Sequence, residues 1–498
     1  MGAGHIYGYD LLYESKIRHL LFTLIDDKTL KELAKKYAKK SYNKPYDNAL
    51  SLSLCSWKSA SDFVIKIARE LSIPKEYLPL KTNSNQVVEF IEPTDRLLAL
   101  HNYQKDLKTK VLYELENQTK RFLVQMPTGA GKTRTIIEAL LENIIENDIF
   151  HNQKSIVWLA HTEELCEQAI DTFKDVWQNL APFSTQIVRC WGTYKPTSFD
   201  VLGSFIVGTF QKFNSLLKSN LDVFSAILKS CQIVVVDEAH KAIAPSYANV
   251  INALCNQKSV FLIGLTATPG RGKDKIKENQ ELSKYFGRNL LSPKFIENPI
   301  TELRRRKVLA KLKRKIISTN IDIKIKTDDL SEIDSYFDLP IVVINNLANN
   351  VGRNRIIIDV ISDELKKGNP CLVFSCSVEH SKILSSVLNY KGFKSAYIDC
   401  KLRKGSRKRI VNGFRKGEYD VLVNYGVLST GFDAPRIRTV IITRPTSSVV
   451  LYSQMIGRGL RGPRMGGAEV CNLIDIKDNY LNFGGVEEVY NCFEEYWN

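Results

Sequence analysis

The stretch Gln125–Thr135, QMPTGAGKTRT, constrains this chain more than any other. It follows the apolar run Phe122-Leu123-Val124 and precedes Ile136, Ile137, Ala139, Leu140 and Leu141, whose spacing predicts a helix. A buried strand, a turn of small residues and a helix start form a cradle for an anion. Pro127, Thr128, Gly129, Ala130 and Gly131 make the turn. Gly129 and Gly131 let the backbone approach closely, and the new helix points its free N–H groups at the bound charge. Lys132 extends toward the β- and γ-phosphates of a nucleotide, and the Thr133 hydroxyl is placed to ligate Mg²⁺. Met126 stands where the strict phosphate-loop pattern has glycine, so the assignment needs support from elsewhere.

The support lies at the ends of later apolar runs. Ile233–Val236 reads as a strand buried on both faces, and Asp237-Glu238-Ala239-His240 follow it directly. Two adjacent carboxylates are costly unless a cation is present. Nucleotide-bound Mg²⁺ supplies one, with Asp237 toward the metal and Glu238 orienting and deprotonating a water. Val260–Leu265 ends in Thr266-Ala267-Thr268-Pro269, and polar groups at strand ends are where open parallel sheets bind ligands. Tyr103-Gln104 lies one helix ahead of the phosphate loop, and a Gln amide can both donate to and accept from one edge of adenine.

From about Asn345 the strand–helix alternation repeats, through Pro370–Phe374, Ala396–Ile398, Val421–Val423 and Val440–Ile442, with no second phosphate loop. The expected fold is therefore α/β, with two tandem parallel-sheet domains joined by right-handed crossovers. Residues 452–462 read YSQMIGRGLRG. Arg458 and Arg461, at i and i+3, share a face if the stretch is helical. From there both can reach across a cleft as arginine fingers, which contribute about 10³ to 10⁵ in rate to phosphoryl transfer.

The remaining segments are less specific. Residues 1–92 read as a small helical module, with stripes Leu11, Leu12, Ile17, Leu20, Leu21, Leu24, then Leu30, Leu33, Ala34, Tyr37, then Phe63, Ile65, Ile67, Ala68, Leu71. Lysines 35, 36, 39 and 40 make one basic face, either solvated surface or a nucleic-acid contact, and the module serves equally as a dock for another protein. Residues 270–340 form a bridge rich in Lys and Arg, including Arg304-Arg305-Arg306-Lys307. Residues 485–498 read as an acidic amphipathic helix that packs back on the chain or binds a partner. The net charge of +16 favours a polyanionic partner. Neither a membrane-length apolar run nor a secretory signal pattern is found, so the expected setting is cytoplasmic. The ten cysteines include no C-x-x-C, and no metal is implied beyond Mg²⁺ with nucleotide.

The ordered set YQ, MPTGAGKT, LAHTEEL, GTFQ, DEAH, TATPGR, VFSCS, LSTGFDAP and QMIGRGLR resembles the superfamily 2 helicases of DEAH type. It is most similar to the branch of XPB-like, RadD-like and restriction-enzyme motor subunits, from about residue 93 to about residue 478. The resemblance implies two RecA-like domains, residues 93–292 and 293–484, with ATP and Mg²⁺ between them and nucleic acid across the top. It assigns Gln104 to adenine, Lys132 and Thr133 to phosphate and Mg²⁺, and Asp237 and Glu238 to metal and water. Thr266 and Thr268, with His240 and Gln454, couple hydrolysis to movement; Gly431 and Asp433 touch nucleotide from the second domain, where Arg458 and Arg461 are the fingers. An ATP-dependent helicase or translocase follows, acting on DNA in preference to RNA, in a restriction or antiphage setting with a separate nuclease or effector. An RNA remodeller and an ATP-gated switch that recruits an effector are the alternatives.

Overall fold

Strands whose residues are buried without alternation need cover on both faces, and that requirement sets the architecture here. The computed structural model describes residues 8–58, 61–74, 77–79, 87–91, 99–270, 275–295, 299–319, 341–399, 402–426, 435–446 and 449–477. Gly431, Asp433, Arg271, Lys273 and the expected helix at 485–498 lie outside them. By compactness the chain divides into two units, residues 85–341 with 428–498 and residues 1–84 with 342–427. These units interleave along the chain.

The first unit holds an eight-stranded sheet. Its strands are β1 (Val88–Ile91), β2 (Arg121–Gln125), β3 (Ser155–Ala160), β4 (Thr185–Cys190), β5 (Phe205–Thr209), β6 (Cys231–Asp237), β7 (Phe261–Thr266) and β8 (Leu290–Leu291). Their order is β1-β4-β5-β3-β6-β7-β2-β8. β1 runs antiparallel to β4, and the other pairs are parallel. Alternate residues serve opposite faces. Leu123, Val157, Leu159, Ile206, Val234, Val236 and Leu262 pack with Phe213, Leu216, Phe224, Ile227, Val250 and Ile251 from the helices Phe210–Ser219, Leu221–Ser230 and Pro245–Leu254. On the other face Phe205 stacks on Phe173 of helix Glu163–Leu180 with ring centroids 3.9 Å apart, and Phe173 stacks on Trp177. Each such buried side chain stabilises by about 1.5–3 kcal/mol.

The same unit carries a second parallel ladder, in which β14 (Val470–Lys477) pairs with both β13 (Thr439–Ile442) and β9 (Lys311–Ser318). β9 lies within the stretch expected to be a bridge. Its charge, not its pattern, hid it: Lys311, Lys313, Arg314 and Lys315 are exposed, as suits an edge strand that must not recruit another chain. Arg314 Nε donates to Asp475 Oδ2 at 2.7 Å, and the Tyr452 hydroxyl donates to the same oxygen at 2.8 Å.

The second unit combines the amino-terminal helices with the parallel strands β10 (Cys371–Phe374), β11 (Ser395–Ile398) and β12 (Val421–Asn424). The helices Ser15–Phe22, Asp27–Leu33, Pro45–Ser53 and Asp62–Glu70 share a core of Leu12, Phe22, Leu30, Leu33, Leu52, Trp57, Phe63, Val64 and Ile67. The expected stripes are partly displaced. Leu20 and Leu24 are 66% and 74% exposed and Phe22 is buried in their stead, while Val64 rather than Ile65 faces inward. Helix Pro45–Ser53 was not foreseen, although Pro45 at its first position is a start signal. Buried Arg18 donates to the carbonyls of Leu12, Tyr13 and Ser53, which ties this helical module together. The module rests on helix Lys404–Lys416: the Arg403 guanidinium lies 3.6 Å from the Tyr13 ring centroid, and Arg409 Nη2 donates to the Leu78 carbonyl at 3.3 Å. Arg403 and Arg409, from the basic run at residues 402–409, thus supply internal contacts. Lys36 of the expected basic face is held by Asp62 at 2.8 Å.

A buried histidine makes this unit acid-sensitive. His380 Nδ1 accepts from the Cys376 amide at 3.1 Å, so Nε2 carries the proton and donates to Asn354 Oδ1 at 3.0 Å. Burial, with Arg353 nearby, pushes this imidazole down to about 3. The unfolded chain takes up a proton near pH 6.5, but the folded one does not until about pH 3. The histidine's contribution is therefore intact above pH 6.5 and declines as pH falls, by about 1.4 kcal/mol per pH unit. Melting temperatures at pH 7.5 and 5.5 should differ less in His380→Gln than in the wild type, even if the variant is less stable at pH 7.5.

Candidate functional site

The polar positions at the C-terminal ends of β2, β6 and β7 converge because these strands are neighbours. Between β2 and helix Lys132–Glu146 the chain turns through Gly129 at φ +83° and Gly131 at φ +85°, values that disfavour any side chain. The Met126 amide donates to the Thr266 carbonyl at 3.2 Å, and the Ala130 amide to that of Pro127 at 3.1 Å. Met126 is fully buried, so the residue that breaks the strict motif acts as core. Gly131 precedes the helix with no side-chain cap, which leaves the first-turn N–H groups directed at the loop. Lys132 and Thr133 sit half-buried in that turn.

Tyr103 and Gln104, on helix Asn102–Glu116, brace the loop from behind. The Tyr103 hydroxyl donates to the Ala130 carbonyl at 2.8 Å, and Gln104 Nε2 donates to the same oxygen at 3.3 Å. Gln104 Oε1 accepts from the His101 amide at 2.9 Å. One donor and one acceptor position of the Gln104 amide are thereby engaged, and one of each remains for a ligand. Burial pushes the Tyr103 hydroxyl above its ordinary range, so it stays a donor. The His101 ring stacks on Tyr103 at 5.7 Å, and burial plus the guanidiniums of Arg464, Arg134 and Arg306 hold it neutral. His101 was not foreseen, because its role comes from the fold and not from a motif.

At the end of β6, Asp237 is 7% exposed. Burial pushes its carboxyl up to about 6, Glu238 adding to the shift while Lys132 and Arg458 draw it back. Glu238 adopts left-handed backbone, φ 54° and ψ 50°, unusual for a side chain of this size. Its amide donates to Asp237 Oδ1 at 3.0 Å. His240 Nδ1 lies 3.2 Å from Thr266 Oγ1 and 3.4 Å from Glu238 Oε2. That Thr266 hydroxyl donates to the Thr268 carbonyl at 2.9 Å and accepts from the Thr268 amide at 3.1 Å. Its one proton is committed, so His240 must carry the Nδ1 proton and donate. A continuous path therefore joins the carboxylate pair to the end of β7. His161, after β3, is pushed down to about 3 by burial and Lys241 and stays neutral.

Helix Val449–Gly457 ends before both expected fingers, which corrects the reason given for their pairing. Arg458 lies in the turn that follows, and Arg461 in a short antiparallel bridge to Leu309. Three-residue hydrogen bonds tighten the chain there, from Arg458 N to Met455 O and from Gly459 N to Ile456 O. Both arginines nevertheless come to the site: the Arg458 guanidinium acts on Asp237 at the end of β6, and Arg461 Cγ is 3.8 Å from where a Cβ on Gly129 of the phosphate loop would sit. Gln454, 7% exposed, has its Nε2 buried with no hydrogen-bond partner, a donor held in reserve on the same helix.

ATP with Mg²⁺ fits this arrangement. The loop offers open amides and Lys132 to phosphates, Thr133 and Asp237 are oxygen donors of the kind Mg²⁺ takes, and Gln454 has an unspent donor. Parallel α/β sheets with a glycine-lined phosphate loop on one strand end and a carboxylate pair on another define the P-loop nucleotide-binding class.

The profile of the type III restriction enzyme res subunit matches residues 97–271, and that of the helicase conserved C-terminal domain matches residues 352–462. These two matches, with the relatives below, support a superfamily 2 helicase with a restriction-enzyme-type motor. It is 28% identical over 386 residues to the putative ATP-dependent helicase IRC3 of Saccharomyces cerevisiae, covering 76% of this chain and 51% of that one. It is 24% identical to the type I restriction enzyme EcoAI endonuclease subunit of Escherichia coli, covering 75% and 46%. The chain thus spans about half the length of these relatives. Among solved structures, the DUF1998 helicase MrfA bound to DNA shares the fold at TM-score 0.54 and 15% identity, over 84% of this chain and 57% of that one. A point variant of S. cerevisiae Dbp5, bound to RNA and ADP BeF3, does so at 0.50 and 14%, over 80% and 92%.

An alanine at position 131 would meet both an unfavourable φ and Gln104 Nε2, 2.4 Å from the new Cβ. Strain of about 1–3 kcal/mol in the loop should weaken nucleotide binding by about tenfold or more. Titration calorimetry of Gly131→Ala with ADP and Mg²⁺ measures this directly.

Proposed function

We propose that this chain is an ATP-dependent nucleic-acid motor, a helicase or translocase acting on DNA in preference to RNA. The observation that carries the reading is the gathering of Lys132, Asp237, Glu238, Arg458 and Arg461 around one phosphate loop. Bound ATP with Mg²⁺ supplies a phosphoanhydride to cleave and a cation over its oxygens. Lys132 and the loop amides hold the triphosphate, Thr133 and Asp237 face the cation, and Gln104 reads the base. Glu238 Oε accepts a proton from the attacking water, with the Glu238 amide on Asp237 Oδ1 and its carboxylate beside His240 Nδ1. His240 and Thr266 pass the state of the carboxylates to the β7 end, where Thr268 begins the next loop. Arg458 and Arg461 hold negative charge on the outer phosphate.

The preference for DNA, and a restriction or antiphage role with a separate nuclease or effector, rest on the restriction-subunit likeness alone, since the basic charge favours a polyanion of either kind. Among the described residues, no helix is long and apolar enough to cross a membrane.

Lys132→Ala and Glu238→Gln should each lower ATP turnover by about 10²-fold or more with melting temperatures near wild type. Undiminished turnover in either, measured by phosphate release, refutes the site. Turnover against single-stranded, duplex and forked DNA and matched RNA should rise most with DNA, and the affinity for DNA should fall steeply with salt as phosphate contacts are screened. Stimulation by RNA alone would make the chain an RNA remodeller. No stimulation by either, with a protein partner recruited through residues 1–92, would make it a switch.

A further inference from the structure

Thr128, on the loop after β2, and Gly457, the last residue of helix Val449–Gly457, meet with no room to spare. A Cβ on Gly457 would lie 2.4 Å from Thr128 Cγ2, 2.7 Å from its Cβ and 3.3 Å from its Oγ1. Real Cβ atoms essentially never come within 3.0 Å of a neighbour. Threonine is branched at Cβ and stiff about χ1, so it has no flexible end to swing aside. One residue further along the loop the approach is ordinary. Gly129 leaves open the space beside Arg461 Cγ and Leu309 Cδ2, 3.8 and 3.7 Å from its absent Cβ. The close fit between the two segments is therefore confined to Gly457, and Gly129 is required by its φ of +83° instead.

We propose that Gly457 is a positioning residue for the arginine pair, with Thr128 as the peg that seats in its notch. The inference deepens the motor reading above and rests on it. Gly457 immediately precedes Arg458, and the Arg458, Gly459 and Leu460 amides donate back to the carbonyls of Met455, Ile456 and Gly457. The turn bearing Arg458 is therefore rigidly continuous with the notch. Ordinary contact begins near 3.4 Å, so a side chain at 457 must drive the two segments apart by about 1 Å, from 2.4 to 3.4 Å. A misplacement of that size is enough to cost about 10²-fold in rate.

The test uses the full chain with Mg²⁺, ADP and a non-hydrolysable ATP analogue, with binding read by titration calorimetry and turnover by phosphate release. Wild type is expected to bind the triphosphate analogue more tightly than ADP, because the arginines meet the outer phosphate. Gly457→Ala should lower turnover by about 10²-fold and reduce that preference to the level of an Arg458→Ala/Arg461→Ala double variant, leaving ADP affinity as in wild type. Added to the double variant it should cost nothing more. Thr128→Gly beside Gly457→Ala removes the peg and should restore much of the preference, and Thr128→Ile, which enlarges the peg, should reproduce the loss. Gly457→Ala with wild-type preference and turnover overturns the proposal, as does an equal loss in the arginine-free background. If Gly457→Ala does not fold, Thr128→Ile decides by the same two readouts. A wild-type chain that binds neither nucleotide overturns the motor reading itself, and the proposal falls with it.

Discussion

A carboxylate kept out of water among cations is the interaction on which the rest of the site depends. Asp237 is buried at the end of β6, and a bare charge there is costly. Lys132, from the phosphate loop, and Arg458, from the turn after helix Val449–Gly457, offset that cost from two directions. The strand that delivers Asp237 is covered on both faces and paired along both edges, to β3 and to β7. The position of the charge is therefore fixed by packing, and the cations are arranged to suit it.

The glycines belong to the same arrangement. An anion can be gripped by backbone only where no side chain stands in the way, and the loop after β2 satisfies this with two left-handed glycines. Gln104 and Tyr103 then hold the loop by one carbonyl, that of Ala130. A loop fastened from behind at the Ala130 carbonyl and from β7 at the Met126 amide can be stiff in its resting shape and still respond when its other amides are engaged. The hydroxyl of Thr266, shared between His240 and Thr268, extends the response from the carboxylates to the neighbouring strand.

Much of this was legible in the sequence. The strands β2, β3, β6 and β7 stood out because they are continuous apolar runs, and the residues at their ends stood out because polar groups there need a reason. What could not be read was whatever depends on two distant segments meeting. The notch at Gly457 has no signature, since its meaning comes from Thr128 more than three hundred residues earlier. β9 was hidden by edge lysines that look like a linker, and Phe22 replaced Leu20 and Leu24 in the helical core because short helices leave little periodicity to measure. Arg458 and Arg461 come to the site by a turn and a bridge, not by a common helix face.

The amino-terminal helices are fastened to helix Lys404–Lys416 by a guanidinium lying on the Tyr13 ring and by a second arginine at the Leu78 carbonyl. They form one body with the strands β10, β11 and β12. A load taken up by those helices is passed to helix Lys404–Lys416 through these arginine contacts. Cargo carried at residues 8–79 would therefore pull on that helix directly.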